Sequence, residues 1–201
     1  VVACLLPEVL LRGKPADRML AAYLREHHEF GSRDRRLISE VFYALFRWWG
    51  WACRVAPESV RRMFEGPEPL PDGGAPGALP APEAIMPSLL IALVAEGLDY
   101  PEVAEVWAEL MGLDAQIVRS ARQLAQPADR TSMLLPQMRS SGGALPVQPE
   151  DLVPDWVKPR LIESRPVGEW VGWLQKRPPL WLRIQSGDPD AVLLELRTAG
   201  L

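Results

Sequence analysis

Only two cysteines, Cys4 and Cys53, occur in the 201 residues, and neither has a second ligand beside it. Zinc needs clustered Cys or His, and the adjacent His27 and His28 would point in different directions on a helix. No metal is expected, and the thiols read as small buried or free side chains in a reducing compartment. Long apolar runs are missing as well. The longest, Ile85 to Ala95, is interrupted by Pro87 and Ser88, and it reads as a core helix too short to cross a bilayer. With no recognisable signal peptide, the expected location is the cytoplasm, away from membranes. The glycine pairs Gly73-Gly74 and Gly142-Gly143 follow no strand, so neither forms a nucleotide-binding fingerprint. No internal repeat and no catalytic constellation is present.

Positive charge is absent from one long stretch. Residues 63–118 hold 10 acidic residues and no Lys or Arg, against 10 basic and 6 acidic in residues 14–62 and 11 basic and 9 acidic in residues 119–201. A polyanion would be repelled by the middle, so any nucleic-acid contact is expected at the two ends. Nearly half the residues are apolar and about a quarter charged, as in a soluble globular protein.

What is present is helical patterning. Lys14 to Arg54 reads as two amphipathic helices joined at Gly31-Ser32. Ala16, Met19, Leu20, Tyr23, Leu24 and His27 follow the spacing of one buried face. Pro15 suits the first turn and Asp17 the positive end of the helix dipole; Gly31 is expected to end that helix and Ser32 to cap the next. Leu37, Ile38, Val41, Phe42, Leu45 and Trp49 make the second apolar stripe, with Arg36, Glu40, Tyr43, Arg47 and Arg54 on another face. Trp48, Trp49 and Trp51 cannot all face one core from a single helix, which places at least one at an interface or under a linker. Residues 66–82 are a Pro/Gly-rich insert whose composition cannot bury a core. Helices are expected again at Pro82–Glu96, Pro101–Met111 and Asp114–Leu124, the middle one with Val103, Val106, Trp107, Leu110 and Met111 on its apolar face. After a break at Ser140–Pro149 the pattern predicts helices at Asp151–Glu163 and Val167–Lys176. A strand follows at Leu180–Gln185, and then a last helix capped by Asp188, with Pro189 in its first turn and Gly200 beyond its end.

Two segments together resemble a known family. Pro15-Ala16-Asp17-Arg18, then Gly31-Ser32-Arg33-Asp34-Arg35-Arg36 and an aromatic helix ending in Phe46-Arg47, are similar to the NusB-like N-terminal domain of RsmB/Sun-type RNA cytosine-5 methyltransferases. Pro154-Asp155-Trp156-Val157 and Arg177-Pro178-Pro179-Leu180-Trp181-Leu182-Arg183-Ile184 resemble the small subdomain that precedes their catalytic domain. The resemblance covers both ends of the chain and little of its middle. It departs from the family at Gln185, where Asn is frequent, and in the long insert.

The resemblance implies a mainly α fold: a NusB-like helical domain over 1–139 with the insert at 66–82, a linker at 140–150, and over 151–201 the beginning of the pre-catalytic α/β subdomain. It implies an RNA-positioning, N-terminal piece of an S-adenosylmethionine-dependent methyltransferase acting on RNA, ribosomal RNA foremost, and packing against its own C-terminal catalytic domain. Methylation of carbon-5 of cytosine needs a thiolate, an acid and a methyl donor. The family supplies them from a Gly-rich turn and from cysteines in Pro-Cys and Thr-Cys-Ser contexts. Cys4 sits between Ala3 and Leu5, and Cys53 between Ala52 and Arg54. No catalytic or cofactor-binding residue is therefore carried over, and no cofactor is expected on this chain itself.

Candidate RNA contacts are Arg33, Arg35, Arg36, Arg47 and Arg54, whose guanidinium forks suit phosphates. The competing reading is a solvated face in which Asp34 and Glu40 pair with these arginines. Lys176, Arg177 and Arg183 beside Trp181 form a second candidate cluster suited to single-stranded RNA, though Trp181 fits a core position better than a stacking platform. The alternative function is a helical protein-interaction module, antitermination-factor-like or a degenerate family member, whose acidic middle recruits a basic partner. Simple structural packing without a ligand is the third reading.

Overall fold

The computed structural model describes residues 1–65, 81–138, 146–155, 157–161, 166–175 and 188–198. Among these residues every regular element is helical, which agrees with the mainly α expectation. The strand expected at Leu180–Gln185 lies outside the described residues, so the α/β part of the expectation has no support among them. The 66–82 insert, apart from Ala81 and Pro82, also lies outside.

The organising element is an apolar helix. The helices are α1 (Val2–Leu10), α2 (Ala16–Glu26), α3 (Ser32–Arg47), α4 (Trp49–Ala52), α5 (Glu58–Glu65), α6 (Pro82–Glu96), α7 (Pro101–Leu110), α8 (Ala115–Gln123), α9 (Pro127–Met138), α10 (Lys158–Leu161), α11 (Val167–Leu174) and α12 (Pro189–Thr198). Short 3₁₀ turns occupy Cys53–Val55 and Pro149–Leu152. In α6, Leu90, Ile91, Ala92, Leu93 and Val94 are all fully buried. A helix that is apolar all round must be surrounded, and α6 touches α1, α3, α4, α7, α8 and α9. Pro82 starts it in the first turn. Gly97, in the left-handed conformation at φ 72°, stops it and lets the Leu98 N–H reach back to the Leu93 carbonyl at 3.1 Å. Its one hydroxyl, on Ser88, donates to the Ala52 carbonyl at 3.0 Å and so is buried satisfied.

The expected helix pair at the N-terminal end forms with altered boundaries. The first helix stops at Glu26, not at Gly31, and α3 starts with Ser32 as its first residue and Gly31 as its cap. The Gly31 N–H donates to Asp34 Oδ2 at 3.1 Å, so the carboxylate does the capping that Ser32 was expected to do. The apolar stripe of α3 is as read, with Val41, Phe42 and Leu45 buried.

Helix α3 does not run through to Arg54. It breaks at Trp48, whose backbone sits at φ −102° and ψ 16°. The break explains how two tryptophans share one core: Trp48 and Trp51 are both buried, with ring centroids 4.9 Å apart, although one straight helix could not aim them alike. Trp49 instead stacks on Phe64 of α5 at 3.5 Å and 11°.

Beyond Gln148 the chain turns back onto this corner. Trp51 Nε1 donates to the Gln148 carbonyl at 2.8 Å, and Gln175 Nε2 donates to the Arg47 carbonyl at 3.2 Å. Gly50 permits the closest approach. A Cβ there would stand 2.6 Å from the Asp151 carbonyl carbon and 2.8 Å from Leu152 Cα, distances no side chain tolerates. The helix expected at Asp151–Glu163 is replaced by the 3₁₀ turn and the short α10, because Pro149, Pro154 and Pro159 each remove a backbone donor. At the far end Asp188 Oδ1 accepts from the Ala191 N–H at 3.1 Å, the cap expected of it. Helices α1, α5 and α9 are elements that the apolar spacing had not singled out.

Candidate nucleic-acid interface

The five arginines of the N-terminal candidate surface have separate fates. Arg35 is turned inward over the α2–α3 connection, where its guanidinium donates to the carbonyls of Phe30 at 2.9 Å, His27 at 2.8 Å and Leu24. Helix α2 ends in carbonyls without intrahelical donors, and this one cation satisfies two of them. Arg35 is therefore a staple between two helices.

Arg47 and Arg54 meet acids from distant segments. Arg47 pairs with Glu96 at the end of α6, whose side chain is 7 % exposed. The same carboxylate accepts from Trp48 Nε1 at 2.6 Å. Arg54 pairs with Asp151 at 2.7 Å. These groups hold α3 and α4 against α6 and against the chain beyond Gln148. Sequence spacing alone offered Asp34 and Glu40 as partners for several of the arginines, and neither holds Arg47 or Arg54.

Arg33 and Arg36 remain at the surface, their side chains 77 % and 74 % exposed. Three positions apart, they share one side of the first turns of α3. Their ion pairs are long: 3.7 Å from Arg33 to Glu102 and 3.3 Å from Arg36 to Glu40. Exposed contacts of that length are worth little, and a phosphate can replace them. Together with Glu40, Asp99 and Tyr100 the two arginines line a cleft of about 230 Å³. Tyr100 OH donates to Glu40 Oε2 at 2.8 Å, and burial, with that hydrogen bond second, raises the phenol's pKa above its ordinary value. The four charges lining the cleft sum to zero, so it offers directional donors more than net attraction.

Lys176, Arg177, Trp181 and Arg183, the second candidate cluster, lie outside the described residues. Near it in sequence, Trp173 on α11 is 67 % exposed and meets Trp170 edge-on.

Two further residues matter here that the sequence had not singled out. Tyr100 is 60 positions from Glu40 and reaches α3 only through the packing of α6 and α7. Glu96 looks like the last charged residue of an apolar helix and is instead the acid around which α3, α4 and α6 meet. It also borders a cleft of about 630 Å³ between Trp48, Trp51, Arg130, Val171 and Gly172. Cys53 lies at the rim of the same corner. Burial raises its thiol pKa, and its sulfur contacts the Gly50 carbonyl at 3.3 Å, an arrangement that disfavours a thiolate nucleophile. No protein-family model matches this chain, and neither a curated protein nor a solved structure matches it.

Proposed function

We propose that this chain positions RNA through the N-terminal turns of α3, as the leading part of an RsmB/Sun-type RNA cytosine-5 methyltransferase with a NusB-like helical domain. The observation that carries the reading is the pairing of Arg33 and Arg36, exposed and one turn apart, beside the Tyr100 edge. Two guanidinium forks at that spacing can hold successive phosphates of one strand. Arg35, Arg47 and Arg54 act in this scheme as the pins that keep α3 in place. Ribosomal RNA is the favoured substrate, and S-adenosylmethionine with its catalytic thiolate would belong to the catalytic domain of the whole enzyme.

With few phosphate contacts and a neutral cleft, binding by this chain alone is weak and depends on salt. A fluorescein-labelled RNA hairpin with a single-stranded loop, titrated with the chain at several salt concentrations, tests the reading. Replacing Arg33 and Arg36 together by Glu should remove most of the binding. Replacing them by Ala should lower the salt slope by about 1.4, the share of two single-strand phosphates. Equal affinity and slope in wild type and variant would refute an interface on α3.

A further inference from the structure

We infer that the outward face of α7 is a docking ridge for a basic amphipathic helix of a partner protein. The sequence places Val103, Val106, Trp107, Leu110 and Met111 on the apolar side of this helix, and the bundle takes hold of only part of it: Val103, Trp107 and Met111 pack against the core, and Val106 and Leu110 do not. Ala104 and Ala108 are fully buried, whereas Val106 is 50 % and Leu110 69 % exposed. Two alanines four positions apart let α6 and α8 approach closely, and close packing there is gained by turning the larger side chains outward. Scattered apolar side chains on a surface need no explanation, but these are ordered. Val103, Val106 and Leu110 follow the 3, 4 spacing of a helix-to-helix seam along α7, and Leu113 lies beyond the helix end, past Gly112. Val103 is partly buried against the core, and Val106 and Leu110 are bare.

Charge selects the occupant. Glu102 and Glu109, seven positions apart and both exposed, run along one flank of the ridge. Glu105, on the same flank but farther from Val106, is already compensated by Arg119 at 2.9 and 2.7 Å, and that pairing holds its carboxyl pKa below the ordinary range. No Lys or Arg stands between residues 63 and 118, so the flank is offset from outside that stretch, by the 3.7 Å contact of Arg33 with Glu102 and by Arg119 near Glu109. A second copy of this chain would bring Glu102 and Glu109 against their own counterparts, and RNA would bring phosphates. Both are repelled. A helix with aliphatic residues along its seam and Lys or Arg beside it meets apolar with apolar and cation with carboxylate. This inference is independent of the RNA reading, since the ridge and the α3 cleft share only the long Arg33–Glu102 contact.

The test uses a fluorescein-labelled amphipathic peptide with a leucine seam flanked by lysines, and a second peptide with glutamates at the flanks. Each is titrated against the full chain below its own self-association concentration. The lysine peptide should bind and the glutamate peptide should not. V106D/L110D should weaken lysine-peptide binding at least about tenfold, or 1.4 kcal/mol. The same variant makes the surface more negative, so binding that is unchanged or tighter would mean unspecific charge attraction and would overturn the ridge. E102K/E109K, which leaves the seam intact, should transfer binding to the glutamate peptide; binding to neither peptide would overturn the charge assignment. Sedimentation that finds a dimer of wild type abolished in V106D/L110D would make the occupant a second copy and refute the basic partner. Circular dichroism should find both variants folded, because the altered side chains face water. Unchanged RNA binding by V106D/L110D separates this inference from the α3 reading.

Discussion

The two ends of α3 carry the same residue type and put it to opposite use. At the start, Arg33 and Arg36 project into water with only long contacts to Glu102 and Glu40. At the end, Arg47 closes on Glu96, and Arg54 beyond the break closes on Asp151. Helical spacing alone does not separate them: Arg33 and Arg36 have Asp34 and Glu40 close by in sequence and Arg54 has Glu58 four positions on, while Arg47 has no acid within a turn. The difference is which distant segment arrives. Where α6 delivers a nearly buried carboxylate, the guanidinium becomes part of the fold; where the guanidinium itself stays in water, as at Arg33 and Arg36, the pair is worth little and the cation stays available. An arginine-bearing helix face is therefore not one surface, and ligand contact is to be sought only along the stretch left unpinned.

The contrast can be broken most severely at Gly50. Gly50→Ala drives a methyl group into the backbone of Asp151 and Leu152, and this corner has no flexible side chain to yield. The expected loss is about 3 kcal/mol or more in urea unfolding, with the turn at Pro149–Leu152 released from α4. A loss below about 0.5 kcal/mol would mean that the Gln148–Leu152 segment does not seat there. Next in size is Glu96→Ala, which leaves the Arg47 guanidinium and the Trp48 indole N–H without that carboxylate. It should cost about 2 kcal/mol, part of the penalty being relieved because Arg47 is a quarter exposed. Smallest is the change at the other end: Arg33→Ala with Arg36→Ala should alter stability by no more than about 0.5 kcal/mol. Comparable losses from the two ends would erase the distinction and make Arg33 and Arg36 structural as well.

Particular elements mark how far the residues alone could be read. The bounds of α6 were legible because Pro82 opens it and Gly97 closes it, and its burial followed from an apolar composition on every side. The stripe of α3 was legible for the same reason, since Val41, Phe42 and Leu45 have no polar alternative. Helix α7 was not, because periodicity finds an apolar face without saying which side the neighbours will grip. Two alanines that permit close approach outweighed the larger Val106 and Leu110. The break at Trp48 escaped for a related reason: a run of aromatic residues with good helical spacing continues on paper, while the core rewards a turn that brings Trp48 and Trp51 to one side. Within the candidate site, the arginines could be named from their spacing, but Tyr100 and Glu96 could not, as each reaches α3 across a long stretch of chain.

By itself the sequence determined the helical character, the central apolar helix, the cap at Asp188, and the location of positive and negative charge along the chain. These follow from propensity, periodicity and composition, which act between near neighbours and need no knowledge of what packs where. Tertiary structure alone decided which arginines are pins and which are free, which face of α7 meets water, and that Gly50 must be glycine. Each of these depends on desolvation or on a contact distance between segments remote in sequence, quantities that exist only after the helices have packed.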